Sequence, residues 1–144
     1  MTDIKIVPAA IHHLKSINAR PFDAQWIAGA DSLPPGPSWT VLLDGHPLII
    51  AGMRPMWRGV AEAWAVTDSE IDRAGYRIAR AAKESISIEM FFNDITRLQC
   101  VVNVNNSQAM RFAEWLGFER EGDLVKFGPE GDDYVIRAII QRGV

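Results

Sequence analysis

Between Leu98 and Phe118 the chain runs from an apolar segment, Leu98 to Val104, through Asn106-Ser107 and a mixed stretch to Gly117-Phe118. The first part has the two-residue period of a strand, with Cys100 on the same face as Leu98, Val102 and Val104. Asn106 and Ser107 are both residue types that cap a helix start, because a short side-chain oxygen satisfies a free backbone N–H there. From Ser107 to Leu116, Ala109, Phe112, Ala113 and Leu116 share one helical face. Gly117 then suits the left-handed conformation that ends a helix. A strand, a capped helix and a return into another strand follow one another without a linker. Such a unit needs a sheet to lie on.

The rest of the chain supplies that sheet. Ile4–Val7 reads as a short strand stopped by Pro8. Ala9 to Asn18 reads as a helix with Ile11, Leu14 and Ile17 on one face, and Phe22 to Ala30 as a second with Asp23 as a cap. Pro34-Pro35-Gly36-Pro37 marks a loop. Trp39–Leu43 and Pro47–Met53 flank Asp44-Gly45-His46, a strong hairpin signal. Val60–Val66 pairs with the second of these runs across Trp57-Arg58-Gly59. Thr67 to about Asn93 is predicted helical, opened by a capping box of Thr67 with Glu70 or of Ser69 with Asp72. Ile71, Gly75, Ile78 and Ala82 form its stripe, widened by Ala74, Ala81, Ile88 and Phe92. At about 1.5 Å per residue it would be close to 40 Å long, so a bend or break is expected near Ser85-Ile86-Ser87. Phe118–Phe127 and Tyr134–Ile140 read as closing strands. The order β-α-α-β-β-β-α-β-α-β-β implies one α/β (α+β) domain over residues 1–144. It has a mixed, mostly antiparallel central sheet of six to seven strands, with helices on both faces.

Composition narrows the partners. A net charge of −3 without a basic stripe excludes nucleic acid, whose phosphates need a dense cationic surface. No apolar run approaches the ~20 residues of a membrane span, and the N-terminus has no secretory pattern. The single cysteine, Cys100, rules out an internal disulfide framework and fits a reducing cytoplasm.

The unit from Leu98 through the Asn106-opened helix to Gly117-Phe118 resembles the acyl-CoA-side half of the GNAT superfamily of N-acetyltransferases. The element order agrees with that fold over nearly the whole chain. The resemblance implies acetyl-CoA as donor and a small-molecule or protein amine as acceptor. It implies that Trp64, Ala65, Val66 and Thr67 run along the pantetheine arm and that the following turn, with Arg73, holds the diphosphate. It also places Asn106 and Ser107 against the CoA arm. Glu62, with the strand parity of Trp64 and Val66, is the candidate base.

Two departures from the family are visible. Its diphosphate turn is rich in Arg, Gln and Gly, whereas this chain has Thr67-Asp68-Ser69-Glu70-Ile71-Asp72-Arg73-Ala74-Gly75. A carboxylate about 6 Å from a phosphate charge costs about 3 kcal/mol at an effective dielectric near 20. The tyrosine that protonates the leaving thiolate in much of the family falls at Ala113, which cannot donate a proton. The other two tyrosines, Tyr76 and Tyr134, lie on different elements.

Gly45–Gly52, Trp64–Asp68 and Arg111–Phe118 are also similar to a GNAT-like branch found in tailed phages and prophages. Some members of that branch are associated with the virion or its assembly, which implies a protein partner, even a virion component, in place of a substrate. Remaining candidates have plain expectations. His12, His13 and His46 lack metal-ligand spacing and are expected at the surface or half-buried. Asp132-Asp133 is expected to be solvated, and Cys100 to belong to the core. Of Trp26, Trp39, Trp57, Trp64 and Trp115, most are expected in the core or half-buried, although Trp39 and Trp57 flank loops, where they could line a cleft or a partner surface.

Overall fold

The computed structural model describes residues 3–27, 29–73 and 75–141. Its strands are β1 Ile4–Pro8, β2 Ser38–Leu43, β3 His46–Trp57, β4 Val60–Thr67, β5 Arg97–Asn103, β6 Glu119–Leu124 and β7 Tyr134–Ile140. Its helices are α1 Ile11–Ser16, α2 Pro21–Ile27, α3 Gly75–Phe92 and α4 Ser107–Leu116, with a one-turn 3-10 helix at Ile71–Arg73. The strands form one sheet in the order β1-β2-β3-β4-β5-β7-β6. β4 and β5 pair in parallel, while β1 with β2, β2 with β3, β5 with β7 and β6 with β7 pair antiparallel. This is the predicted mixed, mostly antiparallel α/β class. The chain divides into two compact units, Met1–Arg54 with Ala63–Ile78 and Pro55–Glu62 with Ala79–Val144.

In the first unit the Asp44-Gly45 turn has φ of 49° and 84°. Two consecutive positive φ values are the signature of the two-residue turn that matches strand twist, which is why Asp-Gly stands there. Ile17, Ile50 and Val66 form a buried cluster, against which Ala9, Leu14, Ala19, Ile27 and Trp64 pack. The Trp64 ring lies so close to β3 that a Cβ on Gly52 would sit 2.7 Å from it. Trp39 belongs to the core of this unit at 8% exposure, as expected of most of the tryptophans, and the alternative of a cleft-lining Trp39 is not met; Trp57 is exposed. The side chain of Trp26 lies outside the described residues.

His13 departs from its expectation, being buried on α1. Its Nδ1 accepts from the Ala10 N–H at 3.0 Å and lies 2.7 Å from Thr40 Oγ1, so Nε2 carries the ring proton and the Thr40 hydroxyl donates. Burial, and next the neighbouring His12, hold the imidazole below its ordinary 6.5. Below pH 6.5 the unfolded chain therefore binds a proton that the folded one resists, so stability falls as pH drops through that window. We predict that urea denaturation at pH 7.5 and 5.5 shows a smaller loss for His13→Gln than for the parent. An equal loss would exclude this linkage.

In the second unit β4 and β5 are in register from Val60↔Arg97 to Glu62↔Gln99. The helix predicted from Thr67 starts only at Gly75, whose φ is 44°, and continues unbroken through Ser85-Ile86-Ser87 to Phe92. Its 18 residues span about 27 Å, so no bend is needed. Ile78, Ala82, Ile86 and Met90 are its buried residues, at a spacing of four, while Ile88 and Phe92 are exposed. α4 matches its prediction: Asn106 Oδ1 accepts from the Ala109 N–H at 3.2 Å, and Gly117 at φ 102° donates to the Ala113 and Glu114 carbonyls. β6 ends at Leu124, short of Phe127, because Lys126 turns to φ 58° and donates its N–H to Asp133 Oδ1 at 2.8 Å. Asp132 is half-buried and bonded to Asn103 Nδ2, so it is not the solvated turn residue expected.

Candidate functional site

The turn after β4 is the segment on which a diphosphate site would depend. Glycine-rich turns hold phosphate because their backbone N–H groups are unspent and point outward. In this chain the N–H groups from Thr67 to Ile71 are engaged. Thr67 N–H donates to Asp23 Oδ2 at 2.9 Å and Asp68 N–H to the Leu48 carbonyl at 2.8 Å. Ser69 N–H donates to the Asn18 carbonyl at 2.9 Å, Glu70 N–H to Asp68 Oδ2 at 2.9 Å and Ile71 N–H to the Asp68 carbonyl at 3.1 Å. Thr67 Oγ1 also donates to Asp23 Oδ2, at 2.9 Å. Segment 18–20 lies alongside, with an antiparallel bridge from Ala19 to Asp68 and an Arg20 N–H bond to the Thr67 carbonyl.

Asp68 organises this arrangement. It is fully buried, and its Oδ1 accepts from the Asn18 N–H at 2.7 Å and lies 3.0 Å from His46 Nε2. Burial pushes its carboxyl up, but bonds from the Glu70 and Asn18 N–H groups and from His46 outweigh that and hold it below the ordinary carboxylate range. Asp23 goes the other way: burial raises its carboxyl, with the Thr67 bonds and the Arg20 charge offsetting part of the rise. The predicted Thr67–Glu70 capping box is therefore not formed. Thr67 is the last residue of β4 and gives its hydroxyl to Asp23, and Asp68 closes an Asx turn onto Glu70. Asp23 stands within the first turn of α2 and not at its cap, and its carboxylate bonds Thr67.

Among the other residues that the resemblance assigned to a CoA arm, Trp64 is half-buried, Ala65 exposed, Val66 buried and Thr67 half-buried. Trp64 Nε1 is buried without an acceptor among the described residues. Arg73 ends the 3-10 turn, and its side chain lies outside the described residues.

The second unit holds the remaining candidates. Glu62 is half-buried on β4 opposite Gln99. Its charge is one of the influences on Cys100, whose thiol is pushed up to about 12, chiefly by burial. A thiol so placed stays protonated at neutral pH and is no nucleophile. Asn106 spends its side-chain oxygen as the α4 cap, and Ser107 is exposed at the first helical position. Ala113 is buried on α4 and Tyr134 on β7. The exposed Tyr76 stands at the start of α3, in the first unit.

Asn18, Asp23 and His46 are the functional-site residues that sequence reasoning missed. Their partners lie 50, 44 and 22 positions away, and no local pattern announces such bonds. The one usable signal was negative: a turn with three carboxylates and one glycine is unlike an anion-binding turn.

No family model matches the sequence, and no curated relative does. Solved structures do match the fold. Ard1 from Thermoplasma volcanium superposes at a TM-score of 0.77 with 14% identity, over 97% of this chain and 99% of that one. A GNAT-family acetyltransferase from Bacillus anthracis gives 0.71 and 16%, over 96% and 95%. A variant of the spermidine N-acetyltransferase SpeG from Vibrio cholerae gives 0.69 and 14%, over 96% and 94%. At these identities the likeness establishes architecture alone: the chain has the fold of the GNAT acetyltransferases.

Proposed function

We propose that this chain is a GNAT-like N-acetyltransferase that grips its cofactor weakly, with acetyl-CoA as donor and an amine as acceptor. The observation that carries the reading is the GNAT fold over nearly the whole chain together with a β4–α3 turn whose N–H groups, from Thr67 to Ile71, are bonded internally. The turn does not suit a diphosphate, because seating one there means breaking those bonds beside the carboxylates of Asp23 and Asp68. What remains for a thioester is the β4 segment Trp64–Thr67. Acetyl-CoA supplies the activated acyl group. Glu62 accepts the proton from the attacking amine. A thiolate is a good enough leaving group to depart without an acid, which Ala113 cannot provide.

Neighbours with this fold include proteins named for spermidine acetylation, so a polyamine or another primary amine is a reasonable first acceptor to try. Two observations favour a second reading: the internally bonded turn and Ala113 at the acid position. In that reading the chain is catalytically silent, in the manner of the phage-associated branch it resembles, and acts by binding a protein such as a virion component.

A thermal-shift titration separates the two. Ligand at ~100 times its dissociation constant adds about 2.7 kcal/mol of stability. We expect stabilisation by acetyl-CoA only in the millimolar range, with amine-dependent release of CoA thiol. Glu62→Gln should lower that release by about tenfold or more. No shift at millimolar acetyl-CoA removes the transferase reading and leaves the protein-binding one.

A further inference from the structure

The second unit buries one charge that acyl transfer does not use. Arg137 on β7 is 8% exposed and donates through Nη1 to the Phe118 carbonyl at 2.9 Å. Its Nε is buried and has no acceptor among the described residues. The described residues also place no carboxylate at ion-pair distance from its guanidinium. Arginine does not deprotonate to escape burial. A water on Nε would satisfy the donor without giving the guanidinium an ion pair.

A second, independent feature points the same way. Arg120 on β6 is the direct cross-strand partner of Arg137. Directly opposed residues share a face of the sheet, and like charges there destabilise the ladder. The register shifts between Arg120 and Gly122, a bulge of the kind that re-aims side chains. Arg120 turns one Nη to Asp123 and is otherwise half in solvent. Both arginines line an open cleft of about 470 Å³, together with Glu114, Gly117, Phe118 and Glu119.

We propose that this cleft binds a small monocarboxylate, seated on the Nε edge of Arg137 with Arg120 as the second cation. A planar carboxylate matches the two parallel N–H bonds which that edge offers. Glu114 and Glu119 in the same lining oppose a dianion such as phosphate. The site is independent of the acetyl-transfer reading and stands whichever way that is decided.

The test is an amide NMR titration of the ¹⁵N-labelled chain with sodium acetate, with sodium chloride at matched ionic strength and sodium phosphate as parallel arms. Acetate should give saturable shifts at Gly117, Phe118 and Glu119 that chloride does not. Arg137→Lys keeps the charge but loses the fork, and should weaken acetate binding about tenfold or more. Arg120→Gln, at an exposed position, should weaken it about threefold. Because Arg120→Gln leaves the buried guanidinium in place, it tests the site even where Arg137→Lys fails to fold. Unsaturable shifts identical to those of chloride would overturn the proposal, as would undiminished binding in Arg120→Gln. Phosphate binding more tightly than acetate would overturn the assignment to a monocarboxylate.

Discussion

Asp68→Ala is expected to destabilise the chain by about 3–5 kcal/mol in urea denaturation, a large fraction of a domain's whole stability. The methyl group removes the acceptor from the N–H groups of Asn18 and Glu70 and from His46 at once. These bonds are part-buried, so each donor left without its partner costs about 1–3 kcal/mol, and no nearby group can replace the fully buried carboxylate. Asp68→Asn should cost less, about 1–3 kcal/mol, because one acceptor oxygen remains while the amide nitrogen opposes a donor. The ionised form is the stabilising one. Its folded pKa is depressed, so its contribution is present above the ordinary carboxylate value and is lost as pH falls through the depressed one. The gap between parent and Asp68→Asn should therefore narrow only in strong acid. A cost below about 1 kcal/mol for Asp68→Ala would mean that the turn is not held by this side chain.

Gly52→Ala is expected to cost about 2–3 kcal/mol although it adds only a methyl group to a strand. The new Cβ would stand 2.7 Å from Cε2, Cζ2 and Nε1 of Trp64, closer than a Cβ approaches any non-bonded atom. Trp64 cannot simply swing away, because it packs on the Ile17–Ile50–Val66 cluster. A smaller ring should relieve the clash. Trp64→Phe in the Gly52→Ala background should recover part of the loss, giving a coupling of about 1 kcal/mol or more in a double-mutant cycle. Additive effects would show that the two residues do not press on each other.

These two sites mark what the sequence could and could not announce. Asp44-Gly45 declared its hairpin, and Asn106 and Gly117 declared both ends of α4, because each acts through bonds within a few residues of itself. Tyr134–Ile140 was legible as a strand end to end because its apolar character is unbroken apart from Arg137. The start of α3 was not legible. A Thr-Asp-Ser-Glu run looks like a helix cap by local chemistry, and only the approach of Asn18 and Asp23 from far upstream converts it into a closed turn. The phase of α3 suffered in consequence: Ile88 and Phe92 were placed inward, where Ile86 and Met90 lie. His13 illustrates the same limit, since its burial depends on Thr40, a residue on a strand beyond the next helix.

For the candidate site the balance is similar. Ala113 was visible by counting from Asn106 and Phe118. The composition of the Asp68–Asp72 turn was visible too, but not how its donors are spent. A buried carboxylate that accepts two backbone N–H groups is a far stronger obstacle to an incoming phosphate than a solvated one near the mouth of a site. That difference separates an acidic turn from a closed one.

The most direct measurement is a calorimetric comparison of acetyl-CoA with S-acetylpantetheine, which carries the same thioester arm without the nucleotide and its phosphates. With the turn from Thr67 to Ile71 bonded internally, the two ligands should bind within about threefold of each other, less than 1 kcal/mol apart. Acetyl-CoA binding about a hundredfold more tightly than the fragment, and losing that advantage when phosphates are removed, would contradict the account.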